Sequence, residues 1–70
     1  MSNKTLGEFI KHLRTSQNIS TSEIAKNLTI SEAEYIKCEN GEMSIYVDDL
    51  KIIADTLSVE ASALIEKYID

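Results

Sequence analysis

Seventy residues make one domain, spanning positions 1–70, and a chain this short buries only roughly 60% of the surface it exposes when unfolded. Charged residues (27%) are interspersed among apolar ones (43%), which excludes wholesale disorder, and the lack of proline, with only Gly7 and Gly41 as glycines, disfavours a β-rich fold. The lone Cys38 rules out an internal disulfide or a cysteine-cluster metal site, no apolar run reaches signal-peptide or membrane-span length, and the net charge of −5 opposes phosphate neutralisation, so a cytoplasmic protein without a strong basic patch is expected.

The helix starts are marked by capping-box spacing at Thr5 and Glu8, at Ser20 and Glu23, and at Ser31 and Glu34. They predict helices near 5–17, 20–28 and 31–39. Leu6, Phe9, Ile10 and Leu13 repeat as one buried stripe on the first helix, and Ile24, Ala25 and Leu28 on the second. Ile19 before Ser20 pairs with Ile24 in a hydrophobic staple, and Ile30 before Ser31 pairs with Tyr35. Asn18 suits a left-handed residue ending the first helix, and Asn40-Gly41 ends the third.

A fourth helix is expected near 47–57, with Val47, Leu50, Ile53, Ala54 and Leu57 inward. A connection through Val59 leads to a fifth near 61–69, with Ala61, Leu64, Ile65 and Tyr68 on its stripe. The core is expected to bury Leu13, Ile24, Leu28, Ile53 and Leu57, with no strand anywhere. Cys38 reads as a small core residue, His12 as solvated, and Tyr35 as buried with its hydroxyl at the rim. Only Thr29 and Ile30 separate Leu28 from the cap Ser31, and so short a turn forces helices 2 and 3 into a helix-turn-helix.

The order and spacing of Leu6-Gly7-Glu8, Ile10, Leu13-Arg14, Ile19-Ser20, Glu23-Ile24-Ala25, Leu28, Ser31, Tyr35, Glu39-Asn40-Gly41, Leu50, Ile53-Ala54, Leu57, Val59 and Leu64 resemble the Cro and lambda-repressor-type helix-turn-helix family. The resemblance covers most of the chain. It implies an all-α, compact five-helix lambda-repressor-like domain and a role in transcription control. The residues that carry it are core, cap and turn residues, so they speak to fold more than to what is bound.

At the positions the family uses for contact, this chain is unusual. Thr21 stands where relatives often place Gln on phosphate, and its hydroxyl can still donate one hydrogen bond. Glu32, Ala33, Ile36 and Lys37 occupy the face that relatives turn toward bases, and the loop after helix 3 carries Glu42 and Met43 in place of phosphate-binding cations. Charge by segment points the same way: +2 over residues 1–19, −3 over 20–44 and −4 over 45–70. Glu34 has a capping explanation, Glu32 favours a helix N-terminus through the dipole, and Glu39 reads as a core or cap residue.

Two functional readings follow. In the first, the acidic, partly apolar helix 3 face docks on a basic repressor, as in the small phage antirepressors and repressor modulators that the resemblance brings in. Ala33, Ile36 and Met43 then form the desolvated centre, and Glu32 and Glu42 pair with Arg or Lys of the partner. In the alternative, a Cro-like dimer binds operator DNA directly, with Lys4, Arg14, Lys26, Lys37 and the start of helix 2 on phosphate. An antitoxin or restriction controller on the same fold is a third class. Ile65, Tyr68 and Ile69 exceed what a small core can bury and are candidates for a homodimer contact. His12 and Cys38 lie on different helices without a third partner, and no zinc, calcium or phosphate-loop spacing occurs, so neither an enzyme nor a cofactor or metal site is expected.

Overall fold

A computed structural model describes residues 2–69. The helices are α1 (Asn3–Ser16), α2 (Thr21–Ala25), α3 (Glu32–Glu39), α4 (Val47–Leu57) and α5 (Ala61–Ile69), and no strand occurs among the described residues. The fold is thus the expected all-α, five-helix one, with α2 and α3 as its helix-turn-helix. α1 packs on α3 and α5, α2 on α3, and α4 on α5.

α1 begins earlier than the Thr5–Glu8 spacing predicts. Ser2 is its cap, its hydroxyl accepting from the Thr5 N–H at 3.1 Å, so Thr5 already lies in the first turn. The Ser2 N–H donates to the Tyr68 carbonyl at 2.8 Å, which ties the start of α1 to the end of α5. α2 and α3 start where expected, each with a reciprocal capping box: Ser20 with Glu23 and Ser31 with Glu34.

α2 ends at Ala25 instead of running to residue 28. The Leu28 N–H donates to the Ala25 carbonyl at 3.0 Å, an i→i−3 turn in place of the α-helical bond to Ile24, and α4 holds the residue that follows. Asp49 is fully buried and accepts from the Thr29 N–H at 2.9 Å and from the Thr29 hydroxyl at 2.7 Å. A backbone donor that satisfies a buried carboxylate cannot also extend the α-helical ladder.

Three helices end in the same way. After α1, Asn18 (φ 58°) is left-handed, with the Asn18 N–H on the Thr15 carbonyl and the Ile19 N–H on the Arg14 carbonyl. After α3, Gly41 (φ 78°) repeats the pattern on Cys38 and Glu42 on Lys37; after α4, Ser58 (φ 59°) does so on Asp55 and Val59 on Ala54. These are Schellman closures, which satisfy the terminal carbonyls and usually place an apolar residue just beyond the left-handed one. Ile19 and Val59 fill that place and pack on the core, whereas Glu42 is exposed.

The core holds Leu6, Ile10, Ile24, Ala25, Tyr35, Leu50, Ile53, Ala54, Leu57 and Leu64. Leu13 and Leu28, expected inside, are half-buried at its edge, because α1 gives its innermost positions to Ile10 and Arg14 and α2 stops before Leu28. Val47, Ile65 and Tyr68, also expected inward, are exposed; Val47 is the first residue of α4, and Ile65 and Tyr68 lie to the side of the buried Leu64. Gly7 allows the close approach of α1 to α3, since a Cβ there would run into the Glu39 carbonyl.

Candidate functional site

The outward side of α3 follows from what its inward side buries. Tyr35, Cys38 and Glu39 are buried, which turns Ala33, Ile36 and Lys37 toward solvent with Glu32 and Glu34 beside them. Ile36 remains 39% exposed, so no loop covers it. Glu42 is exposed in the loop that follows, its N–H on the Lys37 carbonyl at 2.9 Å, and Met43 next to it is half-buried.

One contact joins α2 to α3 on this side. The Thr21 hydroxyl donates to Glu32 Oε2 at 2.7 Å. The structure thereby brings two of the predicted site residues together, and the Thr21 hydroxyl, the phosphate donor expected at the start of α2, is satisfied by a carboxylate of the same chain. Both helix starts also carry reciprocal capping contacts. The Ser20 N–H donates to Glu23 Oε1 at 3.0 Å, and the Ser31 N–H to Glu34 Oε1 at 3.0 Å. The Glu23 carboxyl is held below its ordinary value of 4.5, first by the Ser20 backbone N–H and then by the Ser20 hydroxyl.

Arg14 corrects an expectation of the sequence. As a phosphate contact it would have to be free; instead it is buried behind α3. Its Nε donates to Glu39 Oε2 at 2.6 Å, one Nη to Glu39 Oε1 at 3.0 Å and the other to the Ile19 carbonyl at 2.7 Å. The Glu39 hydrogen bonds hold the guanidinium pKa above its ordinary value despite burial. Tyr35 joins the pair, its hydroxyl donating to Glu39 inside the core rather than reaching the rim. Burial, followed by the Glu39 hydrogen bond, pushes the Tyr35 hydroxyl pKa upward. Cys38 is buried as expected, and burial pushes its thiol pKa up, with Asp49 and Glu34 adding to the effect.

With Arg14 consumed, Lys4, Lys26 and Lys37 are the exposed cations of residues 2–44 besides Lys11, and none of them forms an ion pair among the described residues. The acids divide more evenly than a count suggests. Glu23 and Glu34 serve caps but stay exposed, Glu39 is neutralised inside, and Glu32 and Glu42 are the exposed acids of this side without a capping role. Periodicity could have revealed Arg14, which lies four residues after Ile10 on the buried stripe. Asp49 gave a weaker sign, its spacing of four before Ile53.

Among the described residues no group of three His, Cys, Asp or Glu side chains is placed to hold a metal ion, and no helix is long and apolar enough to cross a membrane. No protein-family model matches the sequence, and no curated protein matches it. Among solved structures, the chain is similar to the clp gene regulator ClgR from Corynebacterium glutamicum, with a TM-score of 0.83 at 15% identity, over 93% of this chain and 69% of that one. At that identity the likeness is one of fold.

Proposed function

We propose that this chain regulates transcription in the cytoplasm by protein contact, the outward side of α3 docking on the basic DNA-reading face of a helix-turn-helix repressor. The observation that carries this reading is the Thr21–Glu32 hydrogen bond. It holds a carboxylate at the junction of α2 and α3, where a DNA-binding helix-turn-helix would receive phosphate. A partner guanidinium or ammonium meets that carboxylate favourably; a phosphate meets it with like charge. Ile36 and Ala33 supply the apolar centre of the contact, and Glu32 and Glu42 its charged edge.

The test is a gel shift with the upstream region of its own gene and a helix-turn-helix repressor that binds it. Added chain is expected to release the repressor from DNA. Glu32→Lys with Glu42→Lys should weaken this release and reduce its sensitivity to salt, since two attractions become two repulsions. Ile36→Asp should cost more, about 2 kcal/mol of binding as a buried anchor. A repressor that stays on its operator at every concentration of the chain would sink the reading.

Direct operator binding is the second reading. It is favoured by the exposed Lys26 and Lys37, which have no ion-pair partner among the described residues, and by the fold shared with a protein described as a clp gene regulator. Under it, the chain alone shifts the DNA, and the double Lys variant binds DNA more tightly and with a steeper salt dependence.

A further inference from the structure

Away from α3, a hollow of about 370 Å³ opens between the start of α1, the loop before α4, α4 and α5. Two of its lining residues, Leu6 and Leu50, belong to the core, so it reaches inward and is not a flat surface. Val47, Ile65 and Tyr68 line it as well and are exposed, which leaves apolar surface in water within a concave site. No charged side chain lines it. Apart from the Tyr68 hydroxyl, its polar side chains form a single pair, in which Asn3 Nδ2 donates to Ser44 Oγ at 3.1 Å. That bond uses one atom of each partner. The Ser44 hydroxyl proton and the Asn3 carboxamide oxygen form no hydrogen bond among the described residues. A free donor and a free acceptor therefore stand side by side at the edge of an apolar hollow.

We propose that this hollow binds a small uncharged amphiphile, its apolar body against Leu6, Val47, Leu50 and Ile65 and a carboxamide head on Asn3 and Ser44. The lining selects the class. An ionised ligand would shed its hydration with no counter-ion in the lining to replace it. A carboxamide carries one acceptor and a pair of donors, so it takes the Ser44 hydroxyl proton and gives its own to the Asn3 oxygen. At roughly 30 Å³ for each water-sized group, the volume holds about a dozen non-hydrogen atoms, at the small end of ligand pockets. Occupancy reaches the α3 side through the chain itself. Ser44 and Ile45 line the hollow, and Glu42 and Met43 immediately precede them in the same loop. A ligand that holds Ser44 thus fixes the loop that carries Glu42, the charged edge of the proposed partner contact. The binding stands whichever partner α3 takes; only this coupling rests on the protein-contact reading.

Titration of the full chain with octanamide, and separately with octanoate at neutral pH, tests it by NMR of labelled methyl groups and amides. Octanamide is expected to saturate, moving the methyl signals of Leu6, Val47, Leu50 and Ile65 together while those of the buried Ile24 and Ile53, which lie outside the lining, stay in place. Octanoate, the same chain with a charged head, should bind about ten-fold more weakly. Ser44→Ala should weaken octanamide roughly three- to ten-fold, the loss of one hydrogen bond. Ile65→Asp, at a site already exposed in the free chain, should abolish uptake with an unchanged helical spectrum. Shifts that never saturate, or that spread evenly over the whole core, overturn the proposal, and so do equal affinities for octanamide and octanoate. A second copy seated in the hollow, seen as the same signals moving with chain concentration while octanamide leaves them unmoved, overturns it too. The amides of Glu42 and Met43 are expected to shift with saturation; unmoved, they overturn the coupling to α3. A chain that takes up octanamide yet releases no repressor from DNA would sink the protein-contact reading and leave the ligand site standing.

Discussion

The two sides of α3 handle charge in opposite ways. On the inward side, Glu39 is buried and every partner it needs is at hand: Arg14 in a two-pronged ion pair and the Tyr35 hydroxyl. On the outward side, Glu32 keeps only the Thr21 hydroxyl and otherwise faces water, with Ala33, Ile36 and Lys37 around it. The inward charges join α1, the turn after it and α3 into one body. The outward charge is left available for a partner. Charge counts along a sequence cannot make this distinction, because a paired interior glutamate and a solvent-facing one count the same.

The largest effect should come from breaking the inward side. Glu39→Ala leaves Arg14 as an uncompensated buried cation and should cost about 3–5 kcal/mol of stability, read as a fall in the urea midpoint. Replacing both partners, Arg14→Met with Glu39→Leu, should cost much less, because no charge then stays stranded. By contrast, Ile36→Asp on the outward side should leave stability within about 0.5 kcal/mol while still costing about 2 kcal/mol of partner binding. A loss of stability at Ile36 equal to that at Glu39 would erase the difference between the two sides.

Smaller effects should come from the helix start between them. Ser31→Ala removes one half of the α3 capping box and should cost about 0.5–2 kcal/mol by thermal melting. An unchanged midpoint would mean that α3 starts elsewhere.

Much of this comparison was legible in the sequence. The two boxed caps, the left-handed Asn18 and Gly41, and the outward set of Glu32, Ala33, Ile36 and Lys37 all follow from local spacing, and local spacing is what a helix obeys. What escaped depends on contacts between distant residues. The turn after α2 is held by Asp49, twenty positions after the Thr29 it binds, and the fate of Arg14 is set by Glu39, twenty-five positions after it. The Thr21–Glu32 bond spans a turn whose course no local rule supplies. Ser58 is left-handed although serine seldom signals that conformation, and Val47 is exposed because a periodic stripe does not say where its helix leaves the core.

The smallest effect concerns acid. Glu23 has a lowered folded-state pKa, so its contribution is present above the unfolded value of 4.5 and is lost as the pH falls through the depressed folded value. The difference in melting point between the wild type and Glu23→Gln should therefore be largest near neutrality and close on acidification. A difference that widens toward acid would mean that the carboxylate is not what closes the start of α2.

The claim that the outward side of α3 serves a protein and not DNA is tested most directly by titrating the wild-type chain alone into labelled DNA from upstream of its own gene, at moderate salt, and following fluorescence anisotropy. The Glu32 carboxylate at the α2–α3 junction and the burial of Arg14 predict no sequence-specific binding at nanomolar concentration, and only weak, salt-sensitive binding above it. Sequence-specific binding at nanomolar concentration with no partner protein present would contradict the account and make α3 a DNA-reading helix.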